Sequence, residues 1–372
     1  MDTTPVTGLD ELDRHLDDLV RDTSIPVNAK LLDDVELQLT ESNIPPLVVR
    51  FLPKLTAILK QYKEDPTVIV SLTVKLLSPV SFTQVLSLAS EESLIQALDS
   101  PAPAANILAM TVIHKAAASP ADAAILSAMP QLVAAFIRRW LASPQVEVGQ
   151  KGGKVLGDLL DIDCELPPPP PPSARDAPRT EIVLRRAPGQ AKLWRLLFLE
   201  KGAYMFLLAL CSGRHPDTND AHQLSLAQGR LLRLLPRLAA LNFQAVSRSA
   251  FTATTPVNLT NGHGGDATSG PRPCEGLLQF AALRMVDKSD VLMHLSWVYF
   301  FEAFLSLMRV TEHSEYKLET IRAIVAEAAA GDQVLKEALL TLPDRTVEEE
   351  AEGLRRWLLE VMPGESVRLA VR

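Results

Sequence analysis

A chain of 372 residues is long enough for two compact domains or one extended array, and 47% hydrophobic against only 5% aromatic content points to a Leu/Ala/Val core of the kind that helix stacks use. A net charge of −8 with a pI of about 5.5 argues against non-specific nucleic-acid binding, which needs a basic footprint. Cys164, Cys211 and Cys274 lie far apart with no CxxC pair, so neither a zinc site nor a disulfide framework is indicated, and a reducing compartment fits best.

Eleven acids and three bases occupy residues 1–45, an excess equal to that of the whole chain. This start is acidic where a signal or transit peptide would be basic, which predicts no export and a cytoplasmic address, extending to the nucleus. The first helix carries Leu9, Leu12, Leu16, Leu19 and Val20 on one face and Asp10, Asp13, Asp17 and Asp18 on the others. It reads as a solvated cap on a first repeat, or as an acidic docking patch for a basic partner. A second helix is expected over 27–41. A third begins at Ile44-Pro45-Pro46-Leu47-Val48-Val49-Arg50-Phe51-Leu52 and echoes Met129-Pro130-Gln131-Leu132-Val133-Ala134-Ala135-Phe136-Ile137. Half the spacing of the two echoes is about 42 residues, inside the HEAT and armadillo period. Short helices are predicted between them at 66–77, 81–88, 91–98 and 103–118. The stretch 67–77 is β-branched enough to suggest a strand, but Val70, Val74 and Leu77 keep the helical period.

Residues 129–161 form one complete helix, turn and helix. Val133, Phe136, Ile137, Trp140 and Leu141 build an apolar stripe on the first helix, which Ser143-Pro144 ends. The second helix carries Val148, Gly152, Val155, Leu159 and Ile162 on one stripe and Glu147, Lys151, Lys154, Asp158 and Asp161 on a charged one. Gly152 and Gly153 each lower helicity by roughly 1 kcal/mol, so their presence predicts close helix packing. Such a hairpin cannot bury its apolar face alone and needs neighbours of its own kind, which is the logic of an all-α, α-solenoid fold of HEAT/armadillo-like repeats.

The pattern breaks over 166–187, where six consecutive prolines predict a stiff polyproline II spacer or long surface loop. Helices resume at 192–200, 203–211 and 220–243, the last with a kink expected at Pro236. Residues 247–273 have no apolar period and are expected to be disordered, with the Asn258 sequon a chance match. Further helices follow at 276–286, 289–310, 314–329, 333–340 and 347–362. The longest apolar segment, 291–308, contains His294 and Glu302 and is expected to be buried rather than to span a membrane. Tyr299, Glu302, Ser306 and Arg309 give that helix a polar stripe. The expected organisation is one helical block over 1–165, the proline segment 166–187, and a second block over 188–372 containing the 247–273 insert.

No reaction centre emerges. Gly149 to Val155 superficially suggests a phosphate loop, but Val155 stands where Ser or Thr should bind magnesium and Val148 stands where the first glycine should be. No GxSxG or HExxH occurs, and His114 and His294 lie within apolar helices, where a hydrogen-bonded histidine is the ordinary occupant. The reading is a non-enzymatic binding module with no cofactor and no metal.

Leu77-Ser78-Pro79-Val80-Ser81-Phe82-Thr83 through Ala89-Ser90-Glu91-Glu92-Ser93-Leu94, the helix over 145–160, and Pro188-Gly189-Gln190-Ala191-Lys192-Leu193-Trp194-Arg195-Leu196-Leu197-Phe198 resemble fungal members of a proteasome assembly-chaperone family. Those members are also labelled DNA mismatch-repair proteins, and the family is similar to the animal non-ATPase subunit 5 of the 26S proteasome. The resemblance implies a C-shaped repeat stack whose inner groove holds the C-terminal domain of one proteasome base ATPase, acting with other base subunits as a monomer, without nucleic acid or membrane. Groove residues would come from the second helix of each hairpin, which makes Lys151, Lys154, Asp158, Asp161, Tyr299, Glu302 and Arg309 the candidate partner-binding residues. The alternatives are a general armadillo adaptor and a mismatch-repair accessory factor. Against the adaptor, Trp140, Trp194, Trp297 and Trp357 lack the regularly spaced Asn partners of transport receptors.

Overall fold

The computed structural model describes residues 6–62, 64–165, 187–251 and 275–363. Among them the chain is all-α, with nineteen α-helices stacked in solenoid fashion, short 3₁₀ turns and one isolated β-bridge, as the sequence predicts. It divides into two units, Met1–Leu159 and Leu160–Arg372.

In the first unit, α1 (Leu9–Arg21), α3 (Ile44–Gln61), α6 (Glu91–Asp99) and α9 (Pro130–Ala142) alternate with α2 (Ala29–Gln38), α4 (Thr67–Leu77), α7 (Pro103–His114) and α10 (Val146–Ile162). The connections are punctuated by caps that satisfy the first free N–H groups of each helix: Asn28 for α2, Ser81 for α5 (Phe82–Leu88), Ser90 for α6 and Ser119 for α8 (Pro120–Ser127). Leu12, Leu16, Phe51, Leu55, Leu72, Leu98, Met110 and Trp140 fill the space between the layers and are almost fully buried. The β-branched stretch is helical, because Ile69, Val70, Leu72, Leu76 and Leu77 turn toward the core at helical spacing. Helix α8 lies outside the predicted elements, although Ser119-Pro120-Ala121-Asp122 is a helix-start sequence. The predicted helix over 103–118 ends at His114 and tightens into a 3₁₀ turn, Lys115–Ala118.

Neighbouring repeats are joined by polar pairs whose members lie 35–44 residues apart. In one layer Arg50 reaches Asp10 and Asp13, Lys54 reaches Asp13 at 2.7 Å, and Arg138 pairs with Asp99. In the other, Ser71 donates to Glu36 at 2.8 Å and His114 meets Asp158 at 2.8 Å. The second unit continues the pattern with Arg284–Glu327, His294–Asp332, Glu302–Arg345 and Arg309–Glu350. The repeat period that the two sequence echoes suggest is thus carried in side-chain chemistry as well.

Asp10, Asp13 and Asp17 are paired with Arg50 and Lys54 of α3, while Asp10 stays largely exposed. The hydrogen bond from Lys54, backed by Arg50, holds the Asp13 carboxyl below its ordinary value. A carboxyl with a depressed folded pKa stabilises the fold above its unfolded pKa and loses that contribution as pH falls through the folded value. The melting temperature should therefore decline on acidification below about pH 4, and the decline should be shallower in Asp13→Asn, measured by circular dichroism over about pH 2 to 6.

In the second unit, α13 (Ala221–Leu241) packs against α16 (Val291–Val310). Helix α13 runs through Pro236 as one element. By length and composition α16 could cross a bilayer, yet Met293, Trp297, Phe300, Phe301, Phe304, Leu305 and Met308 are buried among its neighbours, as expected of a core helix. Helix α15 (Leu277–Leu283) stacks on α17 (Glu315–Ala329), α16 stacks on α18 (Gln333–Thr341), and α19 (Glu348–Val361) closes on α16 and α17. Three buried indoles tie the turns together, Trp194 donating to the Leu160 carbonyl, Trp297 to Ala282 and Trp357 to Leu305.

Helix α11 (Lys192–Phe198) begins at a hydrogen-bonded stem. Gly189 N–H donates to the Cys164 carbonyl and Ala191 N–H to the Asp163 carbonyl, both at 2.8 Å. The fully buried Asp163 carboxylate accepts from the N–H groups of Leu193 and Trp194, so α11 is capped by a residue thirty positions upstream. Arg195 adds an ion pair to Glu165. The chain thus leaves at Glu165 and re-enters at Ala187 beside its point of departure. A second stem joins Arg248 to Glu275 through the β-bridge, and Gln279 donates to the Ser247 carbonyl at 2.8 Å. The proline spacer expected over 166–187 lies outside the described residues apart from Ala187. The insert expected over 247–273 lies outside them beyond Phe251.

Candidate partner-binding surface

The α9–α10 hairpin owes its closeness to Gly152. A Cβ there would lie 2.7–2.9 Å from Trp140 Cδ1, Cβ and Cγ, so the helix backbone sits directly on the indole. This contact turns the charged stripe of α10 away from α9. The glycines that suggested a phosphate loop are inside a continuous helix, where their N–H groups are occupied by its own ladder.

The structure does not leave the stripe uniformly solvent-facing. Lys154 is exposed and Lys151 half-buried. Asp158 is bonded to His114, and Asp161, in the last turn that belongs to the second unit, pairs with Arg237 at 3.3 Å. Burial, reinforced by the neighbouring Lys154 charge and opposed by Asp158, pushes the Lys151 ammonium below its ordinary pKa. Burial does the same to Lys115, whose Nζ donates to the Ser78 carbonyl. His114 and Lys115 therefore belong with the α10 stripe, a grouping invisible to a helix-by-helix reading because it crosses from one repeat to the next.

The α16 stripe divides as well. Tyr299 is exposed, Ser306 is intermediate, and Glu302 and Arg309 are turned to Arg345 and Glu350 of the following elements at 2.6 and 2.7 Å. Leu292 and Leu295 lie exposed beside Tyr299 at helical spacing, and the all-round apolar character of α16 hides them in the sequence. All four tryptophans are buried, so none is available as a groove contact of the transport-receptor kind. No group of three His, Cys, Asp or Glu side chains able to hold a metal occurs among the described residues. Burial pushes the Cys211 thiol up to about 12, which disfavours the thiolate.

Residues 13–135 match the family model described as DNA mismatch repair protein HSM3, N terminal domain. Within the first unit, this stretch, about a third of the chain, is similar to an HSM3-type N-terminal domain. The match runs from α1 into α9 and bears out the resemblance to the proteasome base assembly-chaperone family, whose fungal members carry the mismatch-repair label. It ends before the charged stripe of α10, so the HSM3 model includes His114 and Lys115 but not Lys151 or Lys154. No curated protein matches the chain at a significant level.

Proposed function

We propose that this protein is a non-enzymatic chaperone that binds an ATPase subunit of the proteasome regulatory-particle base, through that subunit's C-terminal domain, and assists base assembly. The observation that carries the proposal is the HSM3-type domain over residues 13–135, which supports a proteasome-assembly role at the level of the family. The repeat stack supplies what such a role needs, a broad protein-binding surface. The candidate partner contacts are Lys151, Lys154 and Asp158 of α10 in the first unit and, taken separately, Asp161 at the end of α10 with Tyr299, Glu302 and Arg309 of α16 in the second. Asp158, Asp161, Glu302 and Arg309 act there partly by holding neighbouring helices in register through their pairs within the chain. The protein works as a monomer in the cytoplasm and nucleus.

Affinity purification of the tagged full chain from native extract, read by mass spectrometry, tests this. Recovery of base ATPases and non-ATPase base subunits without the proteolytic core is expected. Recovery of specific partners containing no base subunit would overturn the proposal and favour a general adaptor. The mismatch-repair description names a second reading, which salt-sensitive duplex binding would favour and which the net charge of −8 opposes.

A further inference from the structure

We infer that a row of cations on successive helices of the first unit, Lys75, Lys115, Lys151 and Lys154, is the part of its surface that receives the partner, and that what it receives is a carboxylate-rich protein segment. This rests on the partner-binding reading above and adds the chemistry of the partner.

Two contacts set the geometry. Lys115 follows α7 directly, and its Nζ donates to the Ser78 carbonyl at 3.3 Å, at the end of α4 whose last turn carries Lys75. His114, one residue earlier, meets Asp158 at 2.8 Å, and Asp158 lies on the same face of α10 as Lys154 and Lys151, four and seven residues before it. The cations of α4, the α7 terminus and α10 therefore share one side of the stack. The row ends at α2, where Glu36 is bonded to Ser71, one turn before Lys75.

Pairing distinguishes this row from the cations that join repeats on the opposite layer. On the opposite layer Arg50, Lys54 and Arg138 each meet a carboxylate. Among the described residues none of the four lysines of the row has one, and the acid in their midst, Asp158, is engaged by His114. Lys115 and Lys151 are also half withdrawn from water, which disfavours their charged forms. Unpaired ammonium groups held this way cost the free protein stability, and an incoming carboxylate offsets that cost. The same arrangement disfavours a long polyanion. A duplex carries a charge every ~1.7 Å along its axis and would run from four cations onto α2, which carries Asp33, Asp34 and Glu36. A short cluster of Asp and Glu side chains needs no more than the row itself.

The test uses the full chain with Lys115, Lys151 and Lys154 all changed to Glu, and a second variant with the same three changed to Gln, which removes charge without adding repulsion. A control reverses the exposed Lys30, Lys60 and Lys201. Each protein is checked by circular dichroism and melting, then compared in capture of proteasome base subunits from extract and in anisotropy titrations with a labelled poly-glutamate peptide and a labelled DNA duplex. The expected result is folded variants in which both peptide affinity and base-subunit capture fall by about tenfold or more, the Gln variant less affected than the Glu variant, and a control close to wild type. Undiminished binding in a folded Gln variant overturns the inference while leaving the chaperone reading intact. Duplex binding tighter than peptide binding and lost in the same variants also overturns it, in favour of a phosphate partner. If the wild-type chain captures no base subunit, the chaperone reading fails and the peptide titration alone decides whether the row binds carboxylates.

Discussion

Replacing Gly189 or Gly276 with alanine should destabilise the second unit by about 3 kcal/mol each. A Cβ on Gly189 would fall 2.1–2.5 Å from the Asp163 carbonyl group and the Cys164 nitrogen, and one on Gly276 would fall 2.5–2.6 Å from the Ser247 carbon, the Val246 oxygen and the Arg248 nitrogen. The obstructing atoms are backbone, so no side-chain rotation relieves the clash. At the first stem the displacement also pulls Ala191 and the Asp163 cap away from the start of α11, exposing unsatisfied N–H groups. Urea unfolding of the two variants beside the parent checks this, and a loss of less than about 1 kcal/mol from either would refute the stem argument.

Gly152→Ala and Gly153→Ala should move stability in opposite directions although the residues are adjacent on one helix. At Gly152 the new methyl would meet Trp140 Cβ and Cγ, atoms tied closely to the α9 backbone, and Trp140 is 1% exposed with nowhere to retreat. Separating α9 from α10 should cost about 2 kcal/mol after the gain in helix propensity is subtracted. At Gly153 the nearest atom is Trp140 Nε1 at 3.4 Å, ordinary van der Waals contact, so the propensity gain of roughly 0.5–1 kcal/mol remains. Parallel melts of the two variants decide the point. Loss of stability in both would mean that the indole is more tightly confined than its distances indicate.

Helical periodicity carried most of the fold because apolar spacing is a local property: it picked out α4 against its β-branched composition and α16 against its length. Helix α8 has a proper start in Ser119-Pro120 but only two fully buried apolar residues, Ala123 and Leu126, too few to raise a period above its surroundings. The α10 and α16 stripes were readable as polar faces, but a helix in a stack has lateral neighbours as well as a solvent side. A charged residue aimed at the next repeat looks the same in sequence as one aimed at water. Asp158, Asp161, Glu302 and Arg309 turned out to have partners 41 to 76 residues away, and no helical wheel contains them. Asp163 escapes a helix-by-helix reading for the same reason, since it caps a helix that begins on the far side of the proline segment.

The last turn of α10 is structurally a component of the second unit, fastened there by the Trp194 indole and the Asp163 carboxylate. A chain cut once between Glu165 and Ala187, inside the first stem, should not fall into independent halves. Its amino-terminal fragment would end in a tail, Leu160 to Glu165, that completes the carboxy-terminal fragment by supplying the start signal for α11. The protein is thus a natural candidate for fragment complementation, in which two separately expressed polypeptides recover the intact stack by docking one helical turn.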